Sequence, residues 1–166
     1  YNAARVADWD SLWYIACERT TGQTCTNTQL INLASLVMFV AWVAFVWVIK
    51  SRRDPGFPRW TLGFPILVLL LLTNKVYSPQ FSLWLLPWFA LAFPNLGWFV
   101  AFEIADVAVF VTRFSWFGTY VGIDDGFAGL PLGVFQIAVG IRAAILVLCV
   151  IGWIRAQREA PLQATP

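Results

Sequence analysis

The feature that most constrains this chain is an apolar run at residues 30–49, LINLASLVMFVAWVAFVWVI, which contains no charged side chain. A helix of that length reaches about 30 Å at about 1.5 Å per residue, which matches the hydrocarbon core of a bilayer. The run ends at Lys50, Arg52 and Arg53, and short basic loops mark the cytoplasmic side of a membrane. The sequence therefore predicts a transmembrane helix that enters from outside.

The composition of the whole chain supports a membrane location. Its 166 residues are 60% hydrophobic and 12% charged, whereas soluble domains average about 25% charged residues. A chain of this size cannot bury this many apolar side chains inside a globule. We therefore expect lipid to cover them. The net charge of +2 is dispersed, which excludes a nucleic-acid partner. Because the chain has no His, imidazole-based catalysis and most zinc sites are excluded, and we expect neither a cofactor nor a metal.

A second basic flank, Arg155 and Arg158, follows the last apolar run at residues 132–154. Both flanks belong in the cytoplasm, so the number of crossings between them must be even. Three intervening apolar runs and the last one supply the crossings: 61–77, 79–93, 95–112 and 132–154. We therefore expect an all-α polytopic bundle of about five transmembrane segments in the plasma membrane, with short broken helices around an outer-face pocket.

The predicted organisation follows from this topology. It comprises an extracytoplasmic amphipathic segment (1–29), a transmembrane helix (30–49), a cytoplasmic loop (50–60), transmembrane helices (61–112), an extracytoplasmic loop (113–131), a transmembrane helix (132–154) and a cytoplasmic tail (155–166). The chain begins at Tyr1, already outside the membrane and without a signal-peptide layout. We expect the remainder of the same polypeptide to lie upstream of Tyr1.

The break between the second and third segments predicts a binding site. Ser78 is a good N-cap, Pro79 suits the first position of a helix, and the unpaired N–H groups that follow carry the positive end of the helix dipole. Lys75 adds a full positive charge, while Asn74 and Gln80 offer further donors. Together they predict a pocket for a lipid-linked phosphate. The alternative is that Lys75 snorkels to headgroups and Ser78 only caps a helix.

Three more residues of the following segment bear on the site. Trp84 and Trp88 lie one helical turn apart and either form an aromatic wall for a sugar or isoprenoid, or serve packing and interface anchoring. Pro87 should kink the helix and leave the carbonyl of Leu83 without its usual donor.

The stretch from Asn74 to Pro87, NKVYSPQFSLWLLP, resembles the Lys-x-x-Ser-Pro-Gln-aromatic-x-x-Trp-x-x-Pro signature of GT-C-type integral-membrane glycosyltransferases. It is most similar to the actinobacterial polyprenyl-phosphate-dependent mannosyltransferases of glycosyltransferase family 87. The residues RWTLG at 59–63 and the stretch 102–113 extend the likeness over residues 50–115.

The resemblance implies transfer of a sugar, mannose in that group, from a polyprenyl-phosphate donor to a lipid or glycan acceptor on the extracytoplasmic face. It carries over Lys75, Ser78 and Gln80 as donor-phosphate contacts. The family's catalytic carboxylate lies in the first extracytoplasmic loop of the full protein. We therefore expect this chain to lack the catalytic base.

Charged residues inside the later segments predict a second polar site. Glu103 and Asp106 share a helix face, and Arg142 is the natural counter-ion on the last segment. We expect the three to cluster near the membrane midplane, either as a proton path or acceptor cavity or as a structural clasp between helices.

Two further features lie outside the membrane in this topology. Cys17 and Cys25 could close a loop as a disulfide or remain two thiols, and the aromatic-rich residues 8–14 either anchor the surface or edge a substrate cavity. Asp124 and Asp125 could bind a metal, although Asp-Asp-Gly is also common turn chemistry.

Two functions fit these expectations. One is the carboxy-terminal part of a membrane glycosyltransferase that supplies the donor-phosphate pocket. The other is a non-enzymatic membrane module, part of a carrier-lipid translocator or an assembly subunit, that binds phospholipid or a lipid phosphate through the same pocket.

Overall fold

A computed structural model describes residues 4–22, 25–121 and 129–156, and every regular element in these ranges is helical. The six α-helices are α1 (Leu12–Thr21), α2 (Thr28–Arg53), α3 (Gly63–Thr73), α4 (Leu86–Leu91), α5 (Leu96–Val121) and α6 (Leu132–Arg155). Two 3₁₀ helices, Arg59–Leu62 and Pro79–Leu85, precede α3 and α4. The predicted all-α fold is confirmed for this part of the chain. Asp124 and Asp125 lie outside the described residues.

Two helices, α2 and α6, are long and apolar enough to cross a membrane. Few apolar residues of α2 are buried, and Leu33, for example, is 60% exposed. By contrast, α6 is the central helix, because it packs against α1, α2, α3 and α5. An outer helix that presents large apolar side chains over its full length needs an apolar surrounding to cover it.

The carboxy-terminal ends of α2 and α6 meet at one end of the bundle. The buried Lys50 Nζ donates to the carbonyl oxygens of Trp153 and Ala156, at 3.4 and 2.5 Å. It also lies 3.4 Å from Asp54 Oδ2 and 5.1 Å from the Trp153 ring centroid. The carboxy-terminal residues of α2 and α6, where the two basic flanks begin, therefore lie side by side, and we refer to this end as the Lys50 end.

The opposite end gathers the amino-terminal segment and the break after α3. Asp8 N–H donates to the carbonyl of Lys75 at 2.8 Å, and the indole N–H of Trp13 donates to the carbonyl of Thr73 at 2.8 Å. Residues far apart in sequence are thus held together by backbone groups as well as by side chains. We refer to this end as the Lys75 end.

The helices found in the predicted segments 61–77 and 79–93 are shorter than those segments. α3 ends at Thr73 and reaches only about 16 Å at about 1.5 Å per residue. The following segment is a 3₁₀ helix to Leu85 and then the short α4. The expectation that Pro87 orphans the carbonyl of Leu83 is wrong, because that carbonyl accepts the N–H of Leu86 in the tighter 3₁₀ pattern. The helices here are broken as well as short.

α5 is longer than predicted at one end. It begins after Asn95, whose side-chain oxygen accepts the N–H of Trp98 at 3.1 Å, and it continues to Val121. We had expected a helix over 95–112 followed by a loop. The extra turns are held by packing, since the Trp116 ring stacks on Phe135 at 5.6 Å. The predicted loop 113–131 therefore begins as helix.

α3 packs against α4 at one glycine, Gly63, which contacts Trp88. Gly63 has ordinary helical dihedral angles, but a Cβ there would lie 1.9 Å from Cη2 of Trp88. The indole ring of Trp88 therefore occupies the space that a side chain at position 63 would need. This contact fixes the position of α4 against the start of α3.

We expect Gly63→Ala to lower the free energy of unfolding by about 1–3 kcal/mol, as overpacked sites do. Gly140→Ala is the matched control, because a Cβ at Gly140 has no neighbour within 4 Å. Thermal unfolding in detergent measures both. The double variant Gly63→Ala/Trp88→Leu should recover part of the loss, and an unchanged melting temperature for Gly63→Ala would contradict this packing.

Candidate functional site

A pocket of about 560 Å³ lies at the Lys75 end, between α2, α3 and the break. It brings together the four residues predicted to bind phosphate and adds two others. Its polar lining consists of Arg5, Asn32, Asn74, Lys75, Ser78 and Gln80, and its apolar lining consists of Leu70, Leu71, Val76, Phe81 and Trp84. The lining therefore combines cationic and amide groups with leucine and aromatic side chains. We refer to it as the Lys75 pocket.

Lys75 is the buried charge of this pocket, with only 4% of its surface exposed. Burial lowers the pKa of its ammonium group from the ordinary value of 10.5. An anion bound beside the ammonium would oppose this shift, because an opposite charge at short range favours the charged form. The lysine is thus held in surroundings that an anionic ligand would improve.

The other predicted phosphate contacts are Asn74, Ser78 and Gln80, and they differ in exposure and in hydrogen bonding. Gln80 is exposed at the rim, and Asn74 Oδ1 accepts the N–H of Val76 at 3.3 Å. Ser78 occupies the N-cap position, but its side chain makes no capping hydrogen bond. The N–H of Phe81, expected to be available to an anion, donates to the carbonyl of Ser78 at 2.9 Å.

The predicted contribution of a helix dipole is therefore wrong. Pro79–Leu85 forms only seven residues of 3₁₀ helix, in which i to i+3 bonds use the N–H groups early. Such a short element has little aligned dipole at its start. Any recognition of an anion at this site depends on side chains, with Lys75 as the principal charge.

Sequence reasoning missed Arg5 and Asn32. Arg5 lies 70 positions before Lys75 in the sequence and reaches the pocket while its Nη2 stays 3.6 Å from Asp8 Oδ2. Asn32 is the more detectable of the two, because it is a polar residue inside the apolar run 30–49. No local pattern connects either residue to the break, since both reach it only through the tertiary fold.

The expected aromatic wall of Trp84 and Trp88 is not formed. Trp84 lines the pocket with 51% of its surface exposed, and its ring lies 4.6 Å from that of Phe81. Trp88 packs over Gly63 instead. Trp84 belongs to the 3₁₀ helix, which ends at Leu85, whereas Trp88 belongs to α4, so the two indoles lie on different elements. Phe81 and Trp84, three apart, form the aromatic pair.

A buried polar network lies beside the pocket. Arg142, 1% exposed, donates from Nη1 to Asp106 Oδ1 at 3.0 Å and from Nη2 to the carbonyl of Asp10 at 3.3 Å. Its guanidinium carbon lies 3.8 Å from the ring centroid of Tyr77. Ser82 Oγ donates to the same Asp106 oxygen at 2.7 Å and lies 3.3 Å from the Tyr77 hydroxyl. We refer to these five residues as the Arg142 network.

The network corrects the predicted cluster in two respects. Asp106 and Arg142 pair as expected, but Glu103 makes no ion pair within the described ranges. The Arg142 guanidinium is directed toward Tyr77 and Asp10, whereas Glu103 lies one turn nearer the Lys50 end of α5. The cluster also joins α5 and α6 to the segments of the Lys75 end, instead of linking two helices alone.

Asp10 is the buried acid of this region, with no exposed side-chain surface. Its Oδ2 accepts from Arg113 Nη1 at 2.8 Å, while Oδ1 has no hydrogen-bond partner among the described residues. Burial raises the pKa of Asp10 to about 6, against the opposing attraction of Arg113 and Arg142. A cavity of about 10 Å³ borders Asp10 and Arg142, which is about the room that one water needs.

The amino-terminal segment is folded onto the bundle. Cys17 and Cys25 form a disulfide with a Cα–Cα distance of 5.5 Å. Gln136 on α6 bonds to α1 twice, donating to Glu18 at 2.8 Å and accepting from Arg19 at 3.2 Å. This segment thus contributes Arg5 to the pocket and Asp10 to the network.

No protein family, curated protein or solved structure matches this chain.

We expect a double-mutant cycle to show strong coupling between Asp106 and Arg142. Asp106→Leu alone leaves a buried guanidinium without its carboxylate, which typically costs about 3–5 kcal/mol. The double variant Asp106→Leu/Arg142→Met removes both charges and should lose less. Chemical unfolding in detergent measures the four proteins, with Glu103→Gln as a control outside the network. Additive losses would contradict the pairing.

We expect the free energy of unfolding to fall by up to about 3 kcal/mol as the pH rises from about 4 to about 6, through Asp10. The sign follows because folded Asp10 binds its proton more tightly than the unfolded chain does, so ionisation favours unfolding. Asp10→Asn should reduce this slope. Arg113→Gln should move it to higher pH, because Arg113 opposes the shift. A slope unchanged in both variants would contradict the assignment.

Proposed function

We propose that this chain is the carboxy-terminal part of a membrane glycosyltransferase, and that the Lys75 pocket holds the phosphate of a polyprenyl-phosphate sugar donor. The sugar, mannose by resemblance, passes to a lipid or glycan acceptor on the extracytoplasmic face. The observation that carries the proposal is a buried lysine lining a pocket of about 560 Å³ together with the other residues of the signature.

The chemistry of the lining supports an amphipathic anion. A lysine near hydrocarbon costs about 2.5–3.5 kcal/mol on insertion scales, and a phosphate partner offsets that cost through charge-assisted hydrogen bonds. Arg5 supplies a second cation at the same pocket. Leu70, Leu71 and Phe81 provide apolar surface next to these charges, which suits the first isoprene units beyond a phosphate.

The arrangement of the ends supports the multi-pass topology that the proposal needs. The described parts of the two basic flanks lie at the Lys50 end, whereas the break and the amino-terminal segment lie at the Lys75 end. With the positive-inside rule, the Lys75 pocket then opens on the extracytoplasmic side of the plasma membrane. Short broken helices such as α3 and α4 occur in membranes where they line a cavity. The proposal keeps the about five membrane segments of the predicted topology.

In this proposal the catalytic base lies outside the Lys75 pocket. Among the described residues, those that line the pocket include no carboxylate, and Asp8, which lies nearby in the amino-terminal segment, pairs with Arg5. By the resemblance, the base is supplied from the first extracytoplasmic loop of the polypeptide upstream of Tyr1. The partners are therefore membrane lipid, the lipid-linked donor and the rest of the same polypeptide.

We expect Lys75→Met in the intact protein to abolish sugar transfer from a polyprenyl-phosphate donor while it preserves folding. Methionine keeps most of the buried volume and removes only the charge. Lys75→Arg should retain part of the activity, and Arg53→Met is the control, because it removes an exposed cation at the other end. Transfer of radiolabelled mannose measures activity, and thermal unfolding checks the fold.

A binding measurement separates the two functions that fit the pocket. Polyprenyl phosphate should bind the wild type and fail to bind Lys75→Met, whereas the uncharged polyprenol should bind both weakly. Charge-dependent binding without transfer by the intact protein would favour the non-enzymatic membrane module. Binding and transfer that are equal in wild type and Lys75→Met would contradict the assignment of the pocket.

A further inference from the structure

The arginines at the two ends of the bundle differ in how they are paired. At the Lys75 end, Arg113 Nη1 lies 2.8 Å from Asp10 Oδ2. At the Lys50 end, the nearby carboxylate of Asp54 pairs with Lys50. Within the described ranges, four exposed arginines of the Lys50 end make no ion pair: Arg52, Arg53, Arg59 and Arg155. This end therefore carries positive charge that the described part of the chain does not neutralise.

Arg59 is exposed, but its side chain is held in place. Its guanidinium carbon lies 5.1 Å from the ring centroid of Trp47 and 5.0 Å from that of Phe57. Its Nη1 donates to Ser51 Oγ at 3.4 Å. A guanidinium that stacks on aromatic rings keeps edge N–H groups for bidentate contact with a phosphate, and it loses less freedom on binding. We refer to Trp47, Ser51, Phe57 and Arg59 as the Arg59 site.

Exposed indole rings indicate that the Arg59 site lies at a membrane interface. Trp47 is 44% exposed, and Trp60, the next residue after Arg59, is 56% exposed. Tryptophan is enriched at the level of the lipid headgroups. Phe57 and Trp60 also line a cavity of about 640 Å³ that reaches Lys50, so there is room for a headgroup beside the site.

An apolar stripe of α2 leads away from the Arg59 site. Trp47 and Ser51 continue a series of positions spaced three or four apart, and residues at that spacing share one helix face. The earlier members of the series are all exposed: Leu33, Leu36, Val40 and Ala44. Apolar surface thus begins directly beside the unpaired cation. This combination suits an anion that carries hydrocarbon better than a soluble anion.

We propose that the Arg59 site binds the phosphate of an anionic membrane phospholipid, whose acyl chains adjoin the stripe of α2. A headgroup with net negative charge is favoured over a zwitterionic one, because the groups around the site are cations and the carboxylate of Asp54 is paired with Lys50. The proposal requires that the chain lies in a membrane but not that it transfers a sugar. It therefore goes beyond the proposed function.

Native mass spectrometry of the full chain in detergent tests this proposal. The probes are phosphatidylglycerol and phosphatidylcholine with the same acyl chains, added in equal amounts, and the ratio of the two adducts is measured. We expect the wild type to prefer phosphatidylglycerol. The preference should persist in Lys75→Met, because the Lys75 pocket lies at the other end of the bundle.

Matched variants separate a built site from general attraction. One cation near an anionic surface raises affinity about fivefold through its charge alone. Arg53→Gln removes an exposed arginine of the same end and should reduce the preference by no more than that factor. Arg59→Gln should reduce it further, because it also removes a fixed, bidentate contact. Trp47→Leu should reduce the preference although it removes no charge.

Thermal unfolding checks that each variant folds. If Arg59→Gln does not fold, Arg59→Lys replaces it, because lysine keeps the charge and loses the planar stacking, so it should behave like Trp47→Leu.

Four results would overturn the proposal. Equal adducts of the two lipids on the wild type would exclude headgroup recognition, and equal losses in Arg59→Gln and Arg53→Gln would indicate diffuse attraction. Displacement of phosphatidylglycerol by glycerol phosphate would assign the site to a soluble anion. Loss of the preference in Lys75→Met would assign the lipid to the Lys75 pocket. By contrast, a preference that persists in an intact protein without sugar transfer would count against the proposed function alone.

Discussion

The structure depends on one buried cation, Arg142. Its guanidinium is 1% exposed in a largely apolar chain, and a charge in such surroundings must be paired and hydrogen-bonded or it destabilises the fold. The partners come from three other segments: Asp106 of α5, the backbone of Asp10 and the ring of Tyr77. Satisfying this charge therefore requires the amino-terminal segment and the break after α3 to meet α5 and α6. The arrangement of the whole Lys75 end follows from that requirement.

The position of Lys75 is a consequence of the same constraint. Tyr77 contacts Arg142 two residues after Lys75, and the carbonyl of Lys75 accepts the N–H of Asp8, two residues before Asp10. The loop that carries the lysine is thus held from both sides by residues of the Arg142 network or their neighbours. These backbone and ring contacts fix the loop and so position Lys75 at the pocket. The network is in this sense structural, which is the clasp interpretation of the predicted cluster.

Much of this fold could be predicted from the sequence, and the errors have physical causes. The apolar runs predicted α2 and α6 well, because a run of membrane length with no charge, or with one, leaves few alternatives. The motif predicted that Asn74, Lys75, Ser78 and Gln80 lie at one pocket, since they are neighbours in sequence. It did not predict that Trp84 and Trp88 lie on different elements, with Trp88 packed on Gly63, because that contact is tertiary. Nor could any local pattern reveal Arg5, Asn32 or the role of Asp10, because these residues lie far in sequence from the break or from Arg142.

The uniform composition of α3 has an explanation in the cavities around it. A helix that is apolar on every side is usually enclosed on every side, and successive leucines of α3 do face different surroundings. Leu69 and Leu72 line an apolar cavity between α2, α3 and α6, Leu70 lines the Lys75 pocket, and Leu71 borders both that pocket and the small cavity at Asp10. An amphipathic pattern would have given this helix one polar face. With leucine toward all of these cavities, α3 supplies only apolar lining to the Lys75 pocket, so the polar lining of that pocket comes from α2, the break and the amino-terminal segment.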